Sequence, residues 1–475
     1  MGKYKYSKIL LVNPPYTIKE YMGKLGEISV TFPPVALLYL ASFMRRRNYD
    51  VKIFDFQVES NFVEVFRKFI PDYVGITCST ALVYTTLELA KIIKSMRNIP
   101  VVVGGVHPTF RPQDLIEDEN IDFVVKGEGE ITFYELIKGI ENGNNFSFIK
   151  GLVTKEGENK DRPMLEDLDY LGFPAIDLIH VDKYKLSPDL YFGKKMALLS
   201  TSRGCPFDCL FCASKVIFHR KIRYRKLEDI FKEIDYYINQ HNIDFLFIMD
   251  DCFTLHKNRL IEFCEHMIKK YKGKILWWAQ TRADKVNPEI LVLMKRAGCR
   301  VLSFGVETGV DRLLKVIRKD IDLLQVKRAI KMVKKAGISP RGSFIIGLPT
   351  ETLLDTLKTI WFALTGGFDR IKIGLATPFP GTDLWTLAKK EGKIEDIENW
   401  NRFTAFAGYT HHRVPYLPDN RHNWELRFLQ QAGNLLFFLK PSIAFGMLKT
   451  YTQLGARDKL FNSVKVYFNT MFSKK

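Results

Sequence analysis

The chain has 475 residues, of which 46% are hydrophobic and 26% charged, the make-up of an ordinary soluble globular protein with room for two or three domains. Its seven cysteines follow no regular pairing, which argues against a secreted disulfide scaffold. A formal net charge of +18 suggests a polyanionic partner (nucleic acid, a phosphorylated substrate or an anionic membrane surface), unless lysines such as those in KMVKKAG only solvate helices.

The start, MGKYKYSKILLVNPP, holds a basic patch and one short apolar run with no cleavage-site pattern. It reads as a first strand of a cytoplasmic protein rather than a signal peptide. PVALLYLASFMRRR follows with helical spacing and arginines in its last turn, where the helix dipole favours them. DVKIFDF, DYVGITCST and PVVVGG are further strands, with helical segments near residues 61–69 and 82–97 between them. DFVVKGEGE then leads into the helix ITFYELIKGI. Near-continuous Val/Ile runs predict an α/β domain over residues 1–149 with a doubly wound parallel sheet, whose ligands bind at the carboxyl ends of the strands. Those ends carry the glycine-rich loops GGVHPTF and KGEGE, neither of which matches a nucleotide fingerprint. Residues 150–195 lack sustained periodicity and read as a linker.

A second βα series occupies residues 196–395, with strands MALLSTSRG, FLFIMDD, ILWWAQTR, RVLSFGVE, GSFIIGL and IKIGLATP. Six such units suit a partial barrel, with functional residues at the carboxyl ends of its strands. After the first strand comes RGCPFDCLFCA, which places Cys205, Cys209 and Cys212 in a C-x3-C-x2-C loop bent by Gly204 and Pro206. A 4Fe–4S cluster needs four ligands, so three thiolates leave one iron open to an outside chelator. Structural zinc, the nearest rival, usually takes two separated pairs, and no second C-x-x-C exists here. Three cysteines packed by chance is the bland alternative. Residues 396–475 form an aromatic, mostly helical region that carries +7 from Arg421 onward, nine Lys/Arg against Glu425 and Asp458. Lys440 and Pro441 interrupt its apolar run, so it is expected to cover the barrel or to lie on a membrane surface rather than to span one.

With Phe211 before the last cysteine, the loop resembles that of the radical S-adenosylmethionine enzymes. ILLVNPP, FPPVALLYLA, GGVHPT, GEGE, LDYLGFPAID and FFLKPSIAFGML resemble the class of that family that carries a cobalamin-binding domain. The resemblance implies a 4Fe–4S cluster on Cys205, Cys209 and Cys212, with S-adenosylmethionine on its open iron. Reductive cleavage then gives methionine and a 5′-deoxyadenosyl radical, with ferredoxin or flavodoxin as the kind of electron donor. Matching phrases place Phe211, Asp251 (in DDCFT), Glu307 (in SFGVETG), Ile346 and Gly347 (in GSFIIGLPTET, where Thr350 replaces the family's glycine) near the cofactor. Ser303 shares the strand face of Glu307, and Arg282 could grip the methionyl carboxylate bidentately, an interdomain ion pair being its plain alternative. Asp250 or Asp251 could equally cap the next helix.

For cobalamin the resemblance implies contacts at Asn13, Gly104, Gly105, His107, Gly127 and Gly129. The D-x-H-x-x-G motif that supplies a lower cobalt ligand in some cobalamin proteins is absent; His107, the only histidine of the first domain, lies in the fourth loop, where hydrogen bonding is the plainer role. The reaction implied is cobalamin-dependent methyl transfer to an unactivated carbon of a small-molecule or lipid-like substrate. Radical cyclisation or another C–C rearrangement stays open, and a noncatalytic corrinoid-binding protein is the third reading. Methylthiotransferases carry a second cluster in their first domain, where this chain has only Cys78. No nucleic-acid partner is expected, since Trp277 and Trp278 read as core or pocket wall.

Overall fold

The computed structural model describes residues 6–15, 31–143, 145–184, 195–394, 399–455, 457, 458, 460–462, 464 and 465. They fall into two compact units, one of residues 6–15, 31–184 and 399–401, the other of residues 195–394 and 402 onward.

In the first unit, β1 (Lys8–Asn13), β2 (Asp50–Asp55), β3 (Tyr73–Thr77), β4 (Val101–Gly104) and β5 (Phe123–Val125) run parallel. The sheet continues through β6 (Leu152–Thr154) and β7 (Gly157–Glu158), both antiparallel, in the order β2-β1-β3-β4-β5-β6-β7. Ile9 to Val12 are fully buried, as expected of a strand covered on both faces. The order reverses between β1 and β3, so a crevice opens at their carboxyl ends beside the end of β4. The predicted linker is therefore partly sheet: β6 and β7 are too short for their alternation to stand out in the sequence, and residues up to 184 pack with the first unit.

The second unit is built on β8 (Met196–Leu199), β11 (Phe245–Ile248), β12 (Leu276–Thr281), β13 (Cys299–Glu307), β14 (Ser339–Ile346) and β15 (Arg370–Leu375). All six are parallel and ordered β8-β11-β12-β13-β14-β15, with β8 and β15 as the two edges. A two-stranded ribbon of β9 (Ser202–Arg203) and β10 (Arg223–Tyr224), invisible as a pattern in the sequence, closes the base of the cysteine loop. Helices cover one parity of the strands: Trp277 packs against Phe263 of helix Lys257–Tyr271, and Phe344 against Phe362 of helix Leu353–Thr365.

Helix Asn423–Leu439 docks on the β15 edge. Asn434 Oδ1 accepts from the Ile373 N–H at 3.0 Å, and Asn434 Nδ2 and Gln430 Nε2 donate to the Ile373 carbonyl at 3.0 and 3.1 Å. An edge strand's open backbone groups are thereby satisfied by side chains. Among the described residues no helix is long and apolar enough to cross a membrane.

Candidate active site

Gly204 sits at φ +100°, and a Cβ there would lie 2.0 Å from the Lys221 carbonyl oxygen, so only glycine lets the chain turn into the cysteine loop. Ion pairs hold the loop from outside. Lys215 lies 2.8 Å from Asp208 and 2.5 Å from Asp383, and Arg318 pairs with both carboxylates. Leu210 N–H donates to the Ile317 carbonyl, and the Leu210 carbonyl accepts from Leu384 N–H, each at 3.0 Å. Cys209 is buried, Cys205 and Cys212 are half-buried, and desolvation pushes all three thiols up, Cys205 to about 12. Protons leave such thiols readily only when a metal takes their place. A fourth thiol, Cys252, is also buried and is engaged by the Arg282 backbone and the Thr281 hydroxyl.

Asp250 and Asp251 divide as adjacent residues should. Asp250, 2% exposed, accepts from Thr201 N–H (2.7 Å), Thr201 Oγ1 (2.5 Å), Ser202 N–H (3.2 Å) and Ser202 Oγ (2.5 Å). It ties the end of β11 to the turn that launches the cysteine loop and caps no helix. The following helix is capped by His256 Nδ1, which accepts from Arg259 N–H. Asp251 stays open to water beside the cysteines, accepts from Ser214 Oγ at 2.6 Å, and has its carboxyl pKa raised by desolvation.

Arg282 follows β12. Its guanidinium stacks 3.6 Å from the centroid of Phe207 in the cysteine loop, and its Nε donates to Asp284 Oδ1 at 3.0 Å. The ion pair is thus local, not interdomain. Nη1 is buried and has no partner, a costly state for a charged donor unless a ligand supplies one. Glu307, at φ +70°, ends β13 and pairs with Lys319 Nζ at 2.8 Å, both side chains 8% exposed. Lys319 carried no signal in the sequence. Burial disfavours its ammonium, yet Glu307 and the Cys209 thiol outweigh burial and raise its pKa. Ser303 Oγ accepts from Trp278 Nε1 at 2.7 Å on the helix-free face, while Trp277 is fully buried core.

Phe211 is half-buried in the loop, and Ile346 is fully buried. At Gly347 (φ +79°) an added Cβ would meet Leu426 of helix Asn423–Leu439 at 3.2 Å. Thr350 occupies a left-handed position at φ +62°, where the family's glycine would sit without strain, and Arg312 holds it through its hydroxyl (2.8 Å) and carbonyl (3.1 Å). Glu351 accepts from Leu348 N–H (2.7 Å) and Thr356 Oγ1 (2.5 Å), and burial pushes its carboxyl up to about 7.

In the first unit, Gly104 and Gly105 end β4, and a Cβ on Gly105 (φ +120°) would lie 2.7 Å from the Cys78 carbonyl oxygen. Cys78 is a buried core residue. Gly127 (φ +70°) faces open space where a side chain would stand, and Gly129 starts helix Gly129–Asn142. Thr109, which the sequence did not single out, links the two loops by donating to the Gly105 carbonyl (2.7 Å) and accepting from Gly127 N–H (3.0 Å). Asn13 donates to Asp55 Oδ1 at 2.9 Å. His107 is 1% exposed, sits 3.0 Å from Asp114 Oδ2 through Nε2 and packs edge-on to Trp400; its pKa is lowered by burial against the pull of Asp114.

Residues 199–363 match the Radical SAM superfamily and residues 24–137 the B12 binding domain. An uncharacterized methyltransferase of Pyrococcus horikoshii is 38% identical over 413 residues, covering 84% of this chain and 87% of that protein. The chain belongs to the cobalamin-binding class of the radical SAM superfamily. The anaerobic magnesium-protoporphyrin IX monomethyl ester cyclase of Rubrivivax gelatinosus is 31% identical over 487 residues, covering 98% of this chain and 83% of that protein. The fold matches that of the radical S-adenosylmethionine methyltransferase TsrM of Kitasatospora setae, solved with cobalamin and a [4Fe-4S] cluster, with a TM-score of 0.69, 17% identity and coverage of 92% and 90%.

As a radical SAM enzyme the chain uses a 4Fe–4S cluster, S-adenosylmethionine and cobalamin. Its residues fit all three: a three-thiol loop, the unpartnered Arg282 Nη1 beside it, and a cradle of glycine backbone at the ends of β4 and β5. Among the described residues no three of His, Cys, Asp and Glu gather around a point that could hold a single ion, and a cubane instead spreads its thiolates over separate irons.

Proposed function

We propose that this radical SAM enzyme transfers a methyl group to an unactivated carbon of a small molecule. The observation that carries the reading is the cysteine triplet beside the buried, unpartnered Nη1 of Arg282: three thiols leave one iron for the cofactor, and the idle donor suits its carboxylate. When bound, the cluster and S-adenosylmethionine supply a hydrogen-abstracting 5′-deoxyadenosyl radical, and cobalamin supplies the methyl group. Cys205, Cys209 and Cys212 hold the iron, and Phe211 packs within their loop. Asp251 lies open beside the cysteines and takes the methionyl amine, while Arg282 takes the carboxylate. Glu307, with one carboxylate oxygen on Lys319, has the other left for the ribose, and Ile346 and Gly347 border the adenine. Ser303, already bonded to Trp278, supports this wall from the helix-free face.

In the first unit, Gly104, Gly105, Gly127 and Gly129 approach the corrinoid through backbone, with Asn13 and His107 holding the loops rather than the cobalt. His107 keeps Nε2 on Asp114, so that nitrogen would not be free for cobalt. A cyclisation is the second reading, favoured by the 31% identity to a cyclase. Anaerobic turnover with the candidate substrate separates the two. Methyl transfer consumes two S-adenosylmethionine per product, giving equal amounts of 5′-deoxyadenosine and S-adenosylhomocysteine. Cyclisation gives 5′-deoxyadenosine alone, and neither product under reduction contradicts both readings.

Two partners belong to the same proposal. A ferredoxin- or flavodoxin-like donor supplies the electron. The exposed Trp424, Phe428 and Phe445, in the C-terminal region rich in lysine and arginine, support contact with an anionic membrane surface and a lipid-like substrate. Co-sedimentation with anionic but not neutral vesicles is expected; no sedimentation with either contradicts the contact.

A further inference from the structure

Between Asp208 and Glu228 the chain carries no acidic residue and six Lys or Arg: Lys215, Arg220, Lys221, Arg223, Arg225 and Lys226. This stretch leaves the cysteine loop after Cys212, forms the short helix Ser214–Ile217 and returns as β10 along the base of the same loop. Part of its charge is used internally. Arg225 pairs with Glu233 at 2.6 Å, and Arg223 is buried with its guanidinium 5.6 Å from the centroid of Phe218. Outermost is the turn at residues 219–221, where His219, Arg220 and Lys221 are all exposed.

That turn is fastened to the cysteine loop. Arg220 Nε donates to the Pro206 carbonyl at 3.1 Å, one residue from Cys205, and the Lys221 carbonyl abuts Gly204. Arg220 N–H donates to the Lys215 carbonyl (3.0 Å) and Lys221 N–H to the Phe218 carbonyl (2.8 Å). His219 and Arg220 stand at φ +48° and +57°, a left-handed pair that is costly for L-residues and that these bonds hold in place. The basic side chains are thus presented from a fixed backbone, which lowers the ordering cost of any contact they make. The balance of charge here is positive. Asp208 takes Lys215 (2.8 Å), Arg318 (2.9 Å) and the edge of Arg220 (3.9 Å), and Asp383 takes the same Lys215 and Arg318. Two carboxylates answer three cations, and among the described residues Lys221 has no carboxylate within ion-pair distance. Val216, Ile217 and Phe218, just before the turn, are only half-buried, so apolar surface adjoins the cations.

We propose that the turn at residues 219–221 is the docking surface of the electron donor, a small acidic one-electron carrier of low potential, either an iron–sulfur or a flavin protein. This rests on the electron donor proposed above and names its seat. An exposed positive patch steers an acidic partner into contact, and electron transfer falls steeply with distance, so a surface one residue from Cys205 serves both needs. On docking, the donor is oxidised by one electron and the 4Fe–4S cluster is reduced by it; no bond forms or breaks and no proton moves at the turn. Arg220 and Lys221 attract the donor, and the half-buried apolar residues beside them are its dry contact.

Anaerobic stopped-flow mixing of the reconstituted holoenzyme with flavodoxin hydroquinone and, separately, with reduced ferredoxin tests the assignment, read as the second-order rate constant of cluster reduction. The faster donor tells a flavin from an iron–sulfur source. The rate constant is expected to fall about tenfold in Lys221→Glu, and further when Arg220→Gln is added. It should persist in Lys221→Arg and drop with added salt more steeply in the wild type than in the acidic variant. Dithionite needs no docking surface, so with it Lys221→Glu should form 5′-deoxyadenosine as fast as the wild type. A loss there would give Lys221 a structural role and contradict the assignment. Donor rates unchanged in Lys221→Glu and in the double variant overturn it, as does a Lys221→Glu variant that loses only sedimentation with anionic vesicles. No 5′-deoxyadenosine from the wild type with dithionite counts against the radical reading instead, whereas the rate of cluster reduction is decided without it.

Discussion

The cysteine loop of the second unit and the glycine loops of the first are built on opposite plans. Around Cys205, Cys209 and Cys212 the chain spends side chains: the Asp250 carboxylate with four hydrogen bonds, the Asp208–Lys215–Asp383–Arg318 pairs and the Arg282–Phe207 stack. At Gly104, Gly105 and Gly127 it uses backbone, and its polar side chains are turned on one another, His107 on Asp114 and Asn13 on Asp55. The difference follows from what each region holds. Iron must be gripped by particular donor atoms, whereas a broad macrocycle can be seated by shape alone.

The largest effect should come from the donor atoms. Cys209→Ala is expected to abolish the cluster, read as bound iron and visible absorbance, together with all 5′-deoxyadenosine formation, while Cys252→Ala keeps both. A cluster lost in both variants would mean that four thiols are needed. Next is the support beneath the loop. Asp250→Ala leaves the Thr201 and Ser202 donors buried and unpaired, and should cost roughly 3 kcal/mol in denaturant unfolding and lower cluster occupancy.

Much of this was legible in advance, and the reasons differ by residue. The cysteine triplet, the six-stranded sheet and the Glu307 position carry type and spacing that survive without coordinates. Lys319, Thr109 and the β9–β10 ribbon were not visible, because their roles depend on contacts between segments and on strands two residues long. A carboxylate after a strand commonly caps the next helix, but Asp250 goes instead to the turn at Thr201, which offers it four donors in a dry site. Like the ribbon, β6 and β7 inside the expected linker are too short to show as a pattern in the sequence.

Glu351 brings a pH dependence to the second unit. Its folded carboxyl holds a proton up to about 7, so between the ordinary glutamate range and that pH the folded chain binds more protons than the unfolded one. Stability should therefore fall as pH rises through this window, by about 3 kcal/mol in all, and level off above it. Glu351→Gln should flatten that slope in thermal unfolding between pH 5 and 8; an unchanged slope would place its source elsewhere. In the first unit the sharpest contrast is a small effect. His107→Ala is expected to cost about 1–3 kcal/mol through the lost Asp114 contact. It should retain cobalamin, and the paramagnetic spectrum of reduced cobalamin should be the same with or without ¹⁵N-histidine labelling. A nitrogen coupling from His107 would erase the contrast between the two regions.

The cofactor grip itself comes last. Electron–nuclear double resonance on the reduced cluster, with S-adenosylmethionine labelled in its amino nitrogen and carboxylate carbon, reads directly whether one iron is open. The expected result is coupling from both labels in the wild type and loss of the carboxylate coupling in Arg282→Gln. A fully loaded cluster that shows no coupling from either label would contradict the assignment of Cys205, Cys209 and Cys212 as a three-ligand site.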